Sequence, residues 1–274
     1  MQTKCDLGFT LIELAIVLVI IGLLIGGIVV GRDLIKVSEM RAQITQIEKY
    51  TTAVTVFRLR YGALPGDIPD PTASSFGLAA RGTFGGEGNG NGIMEGVYGS
   101  RTSFDGAKES CGENVAFWMD LSSVGFIDGT FTLAKLDCSS GIVNPLTASS
   151  SPALKDYFPI ARLSADNYVY VWSINGVNHF TVSGITQVNG SFGTMTPVAK
   201  MSVGQGYSID TKIDDGIPKT GKVRTMYNSA AGNGTAGFTW VPCYSMVDIG
   251  GGVWEARYSM SAPDNVSCAL SFQM

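Results

Sequence analysis

Gly8-Phe9-Thr10-Leu11-Ile12-Glu13 opens an apolar run that continues to Gly31, and from Leu14 to Gly31 no residue carries a charge. About 18 residues at helical rise span roughly 27 Å, enough to cross a bilayer core with little tilt. Glu13 is a lone carboxylate at the start of that span. A charge at such a depth costs about 2.5–3.5 kcal/mol, so Glu13 is expected to be functional and to need a partner. Gly22, Gly26, Gly27 and Gly31 would let neighbouring helices approach closely or let this one loosen. Met1 to Leu7 form a short polar leader with Lys4 and Asp6. A conventional secretory signal fits worse, because its apolar core is short and ends in a small-residue cleavage site.

The helix does not end where the apolar run ends. Arg32, Asp33 and Lys36 mark an exit into water. Beyond them Val37, Met40, Ile44, Ile47, Val54 and Phe57 form the stripe of an amphipathic helix, with Arg41, Gln43, Gln46, Glu48 and Lys49 mostly between. Gly62 and the turn Leu64-Pro65-Gly66-Asp67 stop it near Tyr61. The stripe needs a cover, so a globular domain should pack on this half and leave the first half bare for lipid or other subunits. The expected fold class is α+β, one long N-terminal helix packed on an antiparallel β-sheet.

Gly8, Phe9, Thr10, Leu11, Ile12 and Glu13, with the apolar segment behind them, resemble the class III signal of type IV prepilins and type II secretion pseudopilins. The resemblance is specific over residues 8–31 and looser beyond Tyr61. It implies a pilin-like layout: a leader over 1–8, a transmembrane or filament-core helix over 9–31, an amphipathic helix over 32–61 and an exported globular domain over 62–274. It implies that a membrane peptidase cuts after Gly8 and methylates Phe9, and that Glu13 meets the N-terminal amine of a neighbouring subunit. The charges agree, since such an amine would neutralise Glu13 and fix the axial register between chains. The alternative is an ordinary signal anchor with Glu13 tolerated near the headgroups.

The function so implied is a structural subunit of a type IV pilus-type filament, with a pseudopilin of a type II secretion system as the nearest alternative. The implied partners are other pilin-like subunits, the prepilin peptidase, the bacterial inner membrane and the assembly machinery. The globular domain would be periplasmic before assembly and part of a filament or cell surface afterwards.

The chain has 274 residues, 35 Gly and a formal net charge of −4, and only 15% of it is charged. That balance argues against a nucleic-acid-binding surface. Of five cysteines, Cys5 lies in the leader, and four remain in the presumed exported part. An even number in an oxidising compartment suggests two disulfides, and three pairings are open. The local ones, Cys111–Cys138 and Cys243–Cys268, are favoured, because each closes a loop of roughly 26 residues and is worth about 3 kcal/mol. No cysteine pair has zinc-site spacing, and His179 is the single histidine.

Gly62 to Gly112 is rich in Gly, Pro, Ser and Asp. Within it Gly85-Gly86-Glu87-Gly88-Asn89-Gly90-Asn91-Gly92-Ile93-Met94-Glu95 faintly resembles a calcium loop, with Glu87, Asn89 and Asn91 as the ligands. It lacks charge, lacks flanking helices and has Tyr98 where a bidentate glutamate belongs. A flexible or tightly turned surface loop fits better, so no cofactor is expected, with Ca2+ as the alternative. Glu113 to Val124 reads as a short helix, and Asp137 to Pro152 as a Ser-rich loop. Tyr168 to Ile174, Asn175-Gly176 and Val177 to Ile185 read as a tight hairpin with a primed turn. Thr196-Pro197 is expected to open another short helical stretch. Asp214-Asp215-Gly216 is expected to be a structural turn, with cation ligation as the alternative. Val223 to Met274 alternates strand-like runs with loops. It resembles, by position, the disulfide-bounded C-terminal loop where pilin subunits often meet partners.

An enzyme is not expected. There is one histidine, no metal-spaced cysteine set and no Gly-x-Ser-x-Gly elbow. A membrane-anchored periplasmic binding protein or enzyme remains as the alternative from another class.

Overall fold

A computed structural model describes residues 10–82, 86–98, 102–104, 109–131, 154–164, 166–188, 193–225 and 243–274. The long helix α1 runs Leu11–Tyr61, 51 residues, as the periodicity predicts. Gly62 ends it in the left-handed conformation at φ 75°, which glycine adopts without a Cβ penalty, and its N–H donates to the Arg58 carbonyl. There follow a single turn α2 (Thr72–Ser75), β1 (Gly96–Tyr98), β2 (Thr102–Phe104), α3 (Gly112–Ser123) and a 3-10 turn at Leu154–Asp156. Then come β3 (Tyr168–Ile174), β4 (Val177–Val188), β5 (Met195–Val198), β6 (Met201–Ser202) and α4 (Val203–Ile213). The last elements are β7 (Val223–Arg224), β8 (Tyr244–Asp248), β9 (Trp254–Tyr258), β10 (Val266–Cys268) and β11 (Leu270–Gln273).

The central sheet is antiparallel in the order β3-β4-β11-β7, with β5 joined to the far end of β4. The β3–β4 hairpin forms as expected, with Ile174 opposite Val177 across Asn175 (φ 51°) and Gly176 (φ 73°). Both turn residues are left-handed, the requirement of the primed turn that matches strand twist. Smaller antiparallel pairs are β1 with β2, β6 with β10, and β8 with β9.

The core lies where α1 crosses the sheet beside α3. Tyr50 of α1 meets Trp118 of α3 at 5.0 Å and Phe180 of β4 at 6.1 Å between ring centres. Phe57, Phe117 and Leu121 are fully buried around them. Burying such rings, at about 1.5–3 kcal/mol each, is what fixes the second half of α1 to the domain.

Two residues placed on the polar side of the stripe are buried. Gln46 donates to the Ile160 carbonyl at 2.9 Å and accepts from Arg162 N at 3.1 Å, and Gln43 accepts from Leu163 N at 3.2 Å. Irregular backbone packed on a helix must have its hydrogen bonds met, and these two amides meet them. Thr196-Pro197 opens no helix. It lies in β5, where Pro197 sits opposite Ile185 on an outer strand, a position that tolerates a missing N–H. The helix of this region is α4, capped by Ser202, which accepts from Gln205 N at 3.2 Å while Ser202 N donates to the Gln205 side chain at 2.9 Å. The Ser-rich stretch from Asp137 to Pro152 lies outside the described residues.

Candidate functional site

The candidate site is the start of α1. Thr10 is its N-cap, with an extended backbone, and closes a capping box with Glu13. Thr10 N and Thr10 Oγ1 both donate to Glu13 Oε2 at 2.8 Å, and Glu13 N donates to Thr10 Oγ1 at 3.4 Å. The two backbone bonds satisfy N–H groups that a helix end otherwise leaves orphaned. Within the described residues Glu13 Oε1 receives no donor, so the carboxylate keeps one oxygen for a partner from outside. The Thr-x-x-Glu spacing ahead of an apolar run was the signal for this box, and it adds Thr10 to the residues that position Glu13.

Behind this cap, every side chain from Leu11 to Val30 is exposed, and none of the most apolar window is buried. α1 is long and apolar enough to cross a membrane. Burial along the helix begins at Met40 and is regular from Gln43 to Phe57. The helix therefore has two differently covered halves, and the glycines of the first, Gly22 to Gly31, have nothing within 4 Å of an added Cβ. Gly8 and Phe9 lie outside the described residues.

Cys243 and Cys268 form a disulfide with their Cα atoms 5.0 Å apart. It closes the segment that carries the β8–β9 hairpin. Cys111 is buried at the N-cap of α3 and is itself disulfide-bonded, while Cys138, its expected partner, lies outside the described residues.

The glycine-rich loop is tightly turned around buried carboxylates. Glu113, in the first turn of α3, accepts from Gly88 N at 3.0 Å, Asn89 N at 3.4 Å and Glu95 N at 2.9 Å. Asp67 accepts from Gly90 N and Gly92 N, both at 2.7 Å, and Glu109 accepts from Val97 N at 2.8 Å. Burial pushes Glu113 up to about 8, reinforced by repulsion from Asp67, and pushes Glu109 up to about 8 as well. Of the three residues offered as cation ligands, Glu87 is buried, whereas Asn89 and Asn91 are exposed. Asn89 Oδ1 accepts from Asn91 N at 3.0 Å and Asn91 Oδ1 from Ile93 N at 2.8 Å, so both are engaged in turns. Both side-chain amides donate to Glu95. Neighbouring Asp120 pairs with Arg81 at 2.6 Å, fully buried, and also accepts from Gly66 N.

Asp210, Asp214 and Asp215 bring carboxylate oxygens within 4.8 Å of one another. Asp210 accepts from the Tyr258 hydroxyl at 2.7 Å, Asp214 from Lys222 N and Val223 N, and Asp215 from Ile217 N and Thr220 Oγ1. Each carboxylate thus holds a turn or ties α4 to the disulfide-closed hairpin. His179 is buried on β4, with Nδ1 2.8 Å from the Val177 carbonyl and its ring against Trp172.

Comparison with known proteins assigns the segment in which this cap lies. Residues 3–29 match the family model described as the prokaryotic N-terminal methylation motif, the signal of type IV pilins and pseudopilins. The chain thus carries a signal of the pilin or pseudopilin precursor type, and its α+β architecture with a long N-terminal helix is consistent with a pilin-like fold. No curated protein and no solved structure matches it.

Proposed function

We propose that this chain is a structural subunit of a type IV pilus-type filament, cut after Gly8 and methylated on Phe9 by a prepilin peptidase. The observation that carries this is the joint one. The methylation motif lies on a helix whose first half is wholly uncovered and whose second half is packed into a domain. Such a helix is stable in two settings, in lipid or against other copies of itself. Before assembly it sits in the inner membrane with residues 62–274 on the periplasmic side. On assembly the bare halves leave lipid and bury against one another.

Glu13 supplies the register. Its free Oε1 takes the amine of Phe9 from a neighbouring subunit, while Thr10 holds Oε2 and so sets the direction of the carboxylate. Out of water, an ion pair completed by the incoming chain favours one axial position over others. The chain itself does no chemistry. The same arrangement serves a pseudopilin of a type II secretion system, which differs in the machine rather than in these residues.

The test is Glu13→Leu in the full chain. The variant should still lose Met1 to Gly8 but stay in the membrane fraction, absent from sedimentable filaments. Normal incorporation of the variant would remove Glu13 from the assembly step.

A further inference from the structure

Between the last turns of α1, the Gly90–Gly92 turn and the β3–β4 hairpin lies a groove of about 870 Å³. Val54, Leu64 and Phe180 give it an apolar floor, and Arg58 stands at its side. The Arg58 guanidinium has no ion pair or hydrogen bond among the described residues. The groove is firm. Its glycine turn is pinned to Asp67, and Asn178 of the hairpin donates to the Gly92 carbonyl at 2.9 Å and accepts from Met94 N at 2.8 Å.

The tip of the β8–β9 hairpin is complementary to it. Ile249, Val253 and Trp254 are 52%, 56% and 60% exposed, an apolar cluster left uncovered among the described residues. Gly250, Gly251 and Gly252 all have positive φ and make the tip narrow. Its charge is Asp248, directly across the strands from Trp254, with Oδ1 bound to Gly250 N and Oδ2 open among the described residues. No residue of the disulfide-closed segment lines the groove of its own chain. Lys36 binds Asp264 at 3.4 Å and so holds that segment low on α1. Arg58 lies 22 residues further along the helix, about 33 Å at helical rise.

We propose that the hairpin tip of one copy seats in this groove of a second copy, with Asp248 against Arg58. The two surfaces differ, so the contact is heterologous and leaves both ends open, which propagates a line of subunits rather than closing a dimer. The apolar tip supplies contact area, and the Asp248–Arg58 pair selects the orientation. The inference rests on the proposed polymer and adds which surfaces of the exported domain meet.

The experiment places the photo-cross-linker p-benzoylphenylalanine at Ile249 of the full chain in its host cells, and maps cross-links in sedimented assemblies by peptide mass. The expected product is a dimer joining residue 249 to residues 51–64 of another copy. Arg58→Glu or Asp248→Lys alone should lower its yield by about tenfold, and the two together should restore it. Assemblies that form without this dimer overturn the inference, as do cross-links to other residues or to a different protein and a double variant that is not restored. A processed chain that never sediments with copies of itself overturns the polymer reading and this contact with it. The intact mass and the pellet fraction tell that failure from the former.

Discussion

Replacing Glu113 with glutamine separates two opposite effects of one buried carboxylate. It accepts three backbone N–H groups of the glycine-rich loop. Gly88 is half-buried and Asn89 exposed, so their N–H groups can turn to water, but Glu95 is buried and its N–H cannot. Glutamine keeps one carbonyl oxygen and turns an NH2 toward a donor, so one buried hydrogen bond is lost, at a cost of about 1–3 kcal/mol. The charge acts the other way. Burial, with repulsion from Asp67 and Glu95, raises the carboxyl from 4.5 to about 8. Between those two pH values the folded chain keeps a proton that the unfolded chain has released. Stability from this group is therefore fully present below about pH 4.5 and is lost as pH rises through about 8. At about 1.4 kcal/mol per pH unit, the loss is on the order of 5 kcal/mol. Glutamine has no proton to lose. Glu113→Gln should thus destabilise the domain near pH 5 and be neutral or stabilising near pH 9. The assay is urea denaturation of the full chain in detergent, followed by fluorescence of the buried Trp118 and Trp172, with slopes compared at both pH values. An equal penalty at both would refute the assignment of a buried, proton-holding Glu113.

Three further outcomes are expected. Cys243→Ser with Cys268→Ser opens a loop whose ends are 25 residues apart and should lower stability by about 3.5 kcal/mol in the same denaturation assay. Thr10→Val keeps the shape but removes the hydroxyl that faces Glu13. The lost cap is worth about 1 kcal/mol, so the unassembled membrane pool should rise about fivefold with processing unchanged, as read by fractionation and mass. Calcium at millimolar concentration should leave the thermal midpoint of the chain unchanged, because the loop around Asn89 and Asn91 is already held by N–H donors. A calcium-dependent rise lost in Asn89→Ala would instead assign the loop to cation binding.

The elements legible in the sequence were those with long periodicity or strong local chemistry. α1 showed through its uncharged run, its stripe and the Gly62 stop. The β3–β4 hairpin showed through two β-prone runs around Asn-Gly, and α3 through one apolar face. The Cys243–Cys268 bridge followed from short loop closure. What stayed hidden was set by contacts distant in sequence. Asp67 and Glu113 converge on one loop from 46 residues apart, which no local pattern records. α4 was disguised by Gly204 and Gly206, poor helix formers. Gln43 and Gln46 looked like surface residues until the 160–163 backbone was packed against them. At the candidate site Glu13 was legible by its isolation in an apolar run. Thr10 was not singled out, although its spacing to Glu13 is a capping signature.

The most direct measurement is the intact mass of the chain from membranes of cells with and without a prepilin peptidase. The account predicts loss of Met1 to Gly8 and gain of one methyl group on Phe9 only where the peptidase is present. An uncut chain in peptidase-positive cells would contradict it and leave α1 as an ordinary signal anchor.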